Sequence, residues 1–111
     1  MIELNKENFD AEVLQARGLV IVDYWSERCG PCMELMPQYT QLAEANADKA
    51  KFCKLDTVGN KRLAIGQKVL GLPTVVFYNN GEKVFTFDPA AIDEGGISAM
   101  QAKLDELSGT A

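Results

Sequence analysis

The sequence predicts an α/β protein with a mixed central sheet and helices on both of its faces. Segments of strand periodicity alternate with segments of helical periodicity along most of the chain. The alternation ends in two strand-like runs joined by Asn79-Asn80-Gly81, a hairpin signal, so the last two strands run antiparallel. The continuous apolar run Leu19-Val20-Ile21-Val22 suits a central strand covered on both sides.

Residues 2–4 form a short candidate strand. Residues 6–16 carry Phe9, Val13 and Ala16 at helical spacing and are closed by Gly18, which predicts a first helix. After the central strand at 19–22, a second helix is expected from about Gly30 to Asn46. Pro37 lies inside it, removes one internal hydrogen bond and predicts a kink. A strand at 51–56 and a short helix at 60–68 follow, then strands at 73–78 and 82–87. The final helix has Ile97, Met100, Leu104 and Leu107 on one stripe, with Asp93 as its expected N-cap.

At 111 residues and 47% hydrophobic composition, residues 1–111 read as one domain with an adequate core and no need of disulfide staples. Sixteen acids against eleven bases, with no basic run, argue against nucleic-acid or anionic-membrane partners. The start of the chain holds Glu3, Lys6 and Glu7 without an apolar stretch, and no run approaches transmembrane length. The expected location is therefore the cytoplasm, where three cysteines read as catalytic or incidental rather than as a framework.

Chemistry concentrates at Cys29-Gly30-Pro31-Cys32, where a strand gives way to a helix. Unpaired N–H groups and the helix dipole favour a thiolate at Cys29, which becomes the candidate nucleophile. Gly30 leaves the approach open, Pro31 fits the first helical turn, and Cys32 is placed to resolve a mixed disulfide. The chain has no histidine, so Cys-His and Ser-His nucleophile pairs and histidine metal ligands are absent. A metal carrier using Cys29, Cys32 and Cys53 would need a carboxylate as its fourth ligand, and remains an alternative. Cys53, between Phe52 and Leu55, otherwise reads as an inert core thiol.

Trp25 with Cys29-Gly30-Pro31-Cys32, then Pro37, Gly71-Leu72-Pro73-Thr74 and Asn80-Gly81, resembles the thioredoxin family in order and spacing over nearly the whole chain. The resemblance implies a thioredoxin fold, a central mixed five-stranded sheet flanked by four helices. It also implies a protein-disulfide reductase that cycles Cys29 and Cys32 between dithiol and disulfide. Such a protein has no bound cofactor, is recharged by an NADPH-dependent thioredoxin reductase, acts on client proteins and is expected to be monomeric. By the same resemblance Asp23 passes protons to and from Cys32, with Lys54 beside it. Pro73 is cis and faces the cysteine pair, the Leu72 backbone pairs with the client, and Trp25 walls the active site. Taken without the resemblance, Asp23 is either desolvated, which would raise its pKa, or a solvated strand end, and Trp25 reads as a core aromatic.

Two departures from the family pattern bear on partners. Arg28 stands where thioredoxins usually carry Trp, exchanging a flat apolar contact for a cation beside Cys29. Asp88-Pro89, followed by Ala90-Ala91, replaces a Val-Gly pair in the loop facing the site, where Gly allows close approach and Pro offers no N–H. Both leave the chemistry intact and keep open a second expectation, a binding module or dedicated reductant for one partner.

Overall fold

Residues 1–109 are described by a computed structural model, in which β1 (Ile2–Leu4), β2 (Leu19–Trp25), β3 (Lys51–Asp56), β4 (Thr74–Asn79) and β5 (Glu82–Phe87) form one sheet. Their order is β1-β3-β2-β4-β5; β1, β3 and β2 run parallel, while β4 is antiparallel to β2 and β5 antiparallel to β4. The apolar run of β2 thus occupies the middle of the sheet, and its residues Leu19 to Tyr24 are all buried.

Strand alternation divides the core in two. Val20, Val22 and Tyr24 point to one face, where they meet Phe9 and Val13 of the first helical segment and Ala64 and Val69 around α2 (Lys61–Gly66). Ile21 points to the other, against Leu35, Tyr39 and Leu42 of α1 (Gly30–Ala45) and Met100 and Leu104 of α3 (Pro89–Ser108). Each such side chain contributes about 1.5–3 kcal/mol by leaving water, so covering both faces outweighs any single helix propensity. The C-terminal end of α1 is also pinned to α3 by an amide pair. Asn46 Nδ2 donates to Gln101 Oε1 at 2.8 Å, and Gln101 Nε2 returns a bond to Asn46 Oδ1 at 2.9 Å.

The structure corrects the first and the last helical segments. Instead of a helix over 6–16, a π-helical turn spans Asp10–Leu14, closed by the Gln15 N–H donating five residues back to the Asp10 carbonyl. Asn5 accounts for the shortened start. Its side-chain oxygen accepts from the N–H groups of Glu7 and Asn8, an Asx turn that competes with regular helix. The last helix begins five residues before Asp93, at Asp88-Pro89: Asp88 is the N-cap, its carboxylate accepting from Ala91 N–H at 2.8 Å, and Pro89 takes the first turn. Gly96, at φ 57°, breaks the helical register part-way, so the stripe from Ile97 onward belongs to the second piece. Pro37 sits inside α1, which runs on unbroken to Ala45.

The hairpin rests on Gly81, at φ 84°. A Cβ there would collide with the Leu14 carbonyl oxygen, which belongs to backbone rather than to a movable side chain. Gly81→Ala is expected to destabilise the protein by about 2 kcal/mol or more, from left-handed strain plus displacement of the Asp10–Leu14 turn. Urea unfolding would measure it, and an unchanged midpoint would mean the turn yields freely.

Candidate active site

β2 delivers Asp23, Tyr24 and Trp25 to the carboxyl end of the parallel strands, and the chain then turns through Ser26 into α1. The turn is held by Cys29 N–H donating to the Ser26 carbonyl at 3.1 Å and Arg28 N–H to Ser26 Oγ at 3.2 Å. Cys29 is the N-cap of α1. Its backbone is extended and its sulfur accepts from Cys32 N–H at 3.2 Å, so the helix's free donors point at that sulfur. Gly30 and Pro31 form the exposed first turn.

Cys29 and Cys32 are joined in a disulfide across a Cα separation of 5.2 Å. The two sulfurs differ in setting, since Cys29 is half-buried at the surface while Cys32 is fully buried. Nucleophilic attack from outside can therefore reach only the first. Cys53 lies on the opposite face of the sheet, in the core beside Leu4 and Val22, where burial pushes its thiol up to about 12. Among the described residues no group of three Cys, Asp or Glu side chains is arranged to hold a metal, so the carrier built on Cys29, Cys32 and Cys53 does not assemble.

Asp23 is completely buried, and neither carboxylate oxygen has a hydrogen-bond partner among the described residues. Desolvation raises its pKa from 3.8 to about 7, with Lys54 pulling the other way. Lys54 stands opposite Asp23 in the β2–β3 register, and its ammonium lies 5.7 Å from the centroid of the Trp25 ring. Trp25 itself is half-buried, with its indole N–H enclosed and unpartnered among the described residues.

On the other side of the pair, the Leu72–Pro73 bond is cis. Pro73 and Pro31 line one groove of about 270 Å³, together with Leu35, Pro89 and Ile92 and the carboxylates Glu34 and Asp93. Gly71 abuts Pro89 closely enough that a Cβ on it would come within 3.3 Å of the proline ring. The Asp88-Pro89 departure therefore borders the Leu72–Pro73 segment itself. Arg28 is exposed and in no ion pair among the described residues.

Residues 1–102 match the family model described as Thioredoxin. The chain belongs to the thioredoxin family. It is 43% identical over 103 residues to a thioredoxin of Acetoanaerobium sticklandii, covering 93% of this chain and 98% of that protein. It is 45% identical over 103 residues to a thioredoxin of Peptoclostridium acidaminophilum, covering 93% and 94%. Among solved structures, Malassezia sympodialis thioredoxin (Mala s 13) superposes with a TM-score of 0.80 at 26% identity, covering 97% of this chain and 91% of that one. Like other thioredoxins, the protein is a thiol–disulfide oxidoreductase that reduces protein disulfides through the Cys29/Cys32 pair. No helix among the described residues is long and apolar enough to cross a membrane.

One residue of the site escaped the sequence reading. Tyr39, fully buried on α1, donates its hydroxyl to the carbonyls of Cys53 at 2.8 Å and Ile21 at 3.1 Å, tying the helix to β2 and β3 on the side that carries Asp23. Its spacing from Leu35 and Leu42 on α1 is that of any core aromatic.

Proposed function

We propose that the protein is a cytoplasmic, monomeric single-domain electron carrier, with Cys29 as nucleophile and Cys32 as resolving thiol. The Cys29 thiolate attacks one sulfur of a client disulfide, forming a mixed disulfide and expelling the first client thiolate. Cys32 then gives its proton to Asp23, and its thiolate attacks the Cys29 sulfur. That forms the Cys29–Cys32 disulfide, releases the second client thiolate and passes two electrons to the client. Asp23 suits the proton step because its raised pKa puts the change of charge near neutral pH, and Lys54 moderates that value. Trp25, Arg28, Gly30, Pro31, Leu72 and Pro73 form the client face, with the Leu72 backbone offering strand-type pairing. The observation that carries this reading is the contrast between the two linked sulfurs, one reachable and one buried.

The reductant is regenerated by an NADPH-dependent thioredoxin reductase, so the deciding assay is NADPH oxidation with a panel of such reductases and an insulin-type disulfide substrate. Absence of turnover with any reductase, alongside intact exchange with a chemical dithiol, would favour the second reading, a dedicated reductant for one partner. That reading draws on Arg28 and on Pro89 beside Gly71.

Arg28→Trp separates recognition from chemistry in the same assay. An exposed charge contact is worth up to about 1 kcal/mol, so the change in Cys29 thiolate reactivity should be small, and smaller still at high salt. Reduction by a conventional reductase should improve, while stopped-flow exchange with a small disulfide stays nearly unchanged. Equal changes in the two rates would mean that Arg28 acts on the thiol alone.

A further inference from the structure

β5 is a free edge of the sheet, and a bulge in it aims one lysine at the end of α2. Phe77 pairs with Phe85, but the next residue, Tyr78, pairs with Lys83, so Val84 is left without a partner on β4. The extra residue brings Lys83 opposite Tyr78, where an even register would have put Val84. Tyr78 donates its hydroxyl to Gln67 Oε1 at 2.9 Å, and the Lys83 ammonium donates to the Gln67 backbone carbonyl. Gln67 is the C-cap of α2.

The residue after Gln67 is a second lysine. Lys68 N–H donates to the Ile65 carbonyl at 2.8 Å and Val69 N–H to the Ala64 carbonyl at 3.0 Å, a Schellman-type reversal with Lys68 at φ 65° in the position usually given to glycine. Both lysines are exposed, and neither is in an ion pair among the described residues. Lys49, Lys51 and Lys103, in contrast, lie against Asp105, Glu12 and Glu106. Residues 57–81 contain no Asp or Glu, and strand alternation sends the side chain of Glu82 to the other face of β5. Partial burial pushes the Lys83 pKa down, and the Lys68 charge adds to this.

An amine held beside a second cation is a stronger nucleophile near neutral pH, because more of it is unprotonated, and the neighbouring ammonium attracts anions. The electrophile that suits such a pair carries its negative charge on the leaving group, as an acyl phosphate does. We propose that Lys83 is a site of acylation by acyl phosphates, with Lys68 holding the phosphoryl group while the Lys83 amine attacks. The nitrogen adds to the acyl carbon, the C–N bond forms as the acyl C–O bond breaks, inorganic phosphate leaves with the electron pair, and the nitrogen's proton passes to water. The product is an uncharged amide, so acylation removes one positive charge from a chain already at −5. The site is separate from the thiol chemistry, since Tyr78 pairs with Val20 at the start of β2 whereas the disulfide follows the end of that strand.

Oxidised full-length protein, in which Cys29 and Cys32 cannot compete, is incubated with acetyl phosphate, and peptide mass spectrometry over time gives an acetylation rate for each lysine. Lys83 should be modified about tenfold faster than the exposed Lys6 and Lys61. Added inorganic phosphate should slow Lys83 more than either. Lys68→Asn, which keeps a residue tolerant of left-handed backbone, should remove most of the advantage with acetyl phosphate. Its effect should be smaller with the uncharged N-hydroxysuccinimide ester of acetic acid, which has no phosphoryl group to hold. Equal rates at Lys83, Lys6 and Lys61, a Lys83 rate that Lys68→Asn or added phosphate leaves unchanged, or an equal loss with both acyl donors would overturn the proposal.

Discussion

Cys32→Ser is expected to stop the protein after half a cycle, leaving a client covalently attached to Cys29. The Cys29 thiolate can still open a disulfide, but the buried sulfur that would expel the client is gone, so multiple-turnover reduction should fall by at least about a thousandfold. Cys29→Ser should abolish turnover as completely while trapping nothing, because Cys32 is enclosed and cannot meet an incoming disulfide. Intact-mass spectrometry after mixing with an oxidised peptide distinguishes the two. An adduct on the Cys29→Ser protein, or none on Cys32→Ser, would reverse the assignment of nucleophile and resolving thiol. Cys53 should remain unmodified throughout, since burial keeps its thiol protonated.

The second large effect belongs to Asp23 and is read as stability. Its folded-state pKa, about 7, lies above the 3.8 of an unfolded aspartate, so folding favours the protonated form. Below the unfolded value both states hold the proton and the carboxyl carries no penalty. As pH rises from there toward 7 the unfolded chain releases a proton that the folded protein keeps, and stability declines; above 7 the loss is complete. Between pH 5 and pH 8 this amounts to roughly 3 kcal/mol. Oxidised wild-type protein should lose that increment relative to Asp23→Asn in urea unfolding, and the variant should also slow release of the mixed disulfide more than its formation. A difference between the two proteins that does not change with pH would place Asp23 in contact with water. Unchanged release would confine it to a structural role.

Much of this was legible in the chain itself, for reasons that are local. Cys29-Gly30-Pro31-Cys32 announces a helix start with two thiols because glycine, proline and the cap position act on their immediate neighbours. Asn79-Asn80-Gly81 marks its hairpin for the same reason, with Asn80 at φ 53° and Gly81 at φ 84°. Asp88-Pro89 carries an equally local signal, an Asp cap followed by a first-turn Pro, which the family's Val-Gly loop at that place obscures.

By itself, then, the sequence determined the order of strands and helices, the redox pair and the family, all of which follow from short-range pattern and spacing. Only the tertiary structure decided which charges and apolar groups meet water. Asp23 is buried with no hydrogen-bond partner among the described residues because α1 covers β2, although nothing within a few residues of it dictates that. Pro89 abuts Gly71, and Tyr39 reaches the Cys53 carbonyl, across separations of more than ten residues. Leu70 meets water because the turn at Lys68, whose N–H donates to the Ile65 carbonyl, buries Val69 against Ala64. Burial and desolvation sum over contacts from distant parts of the chain, so they come into being only when the sheet and its two helical layers close.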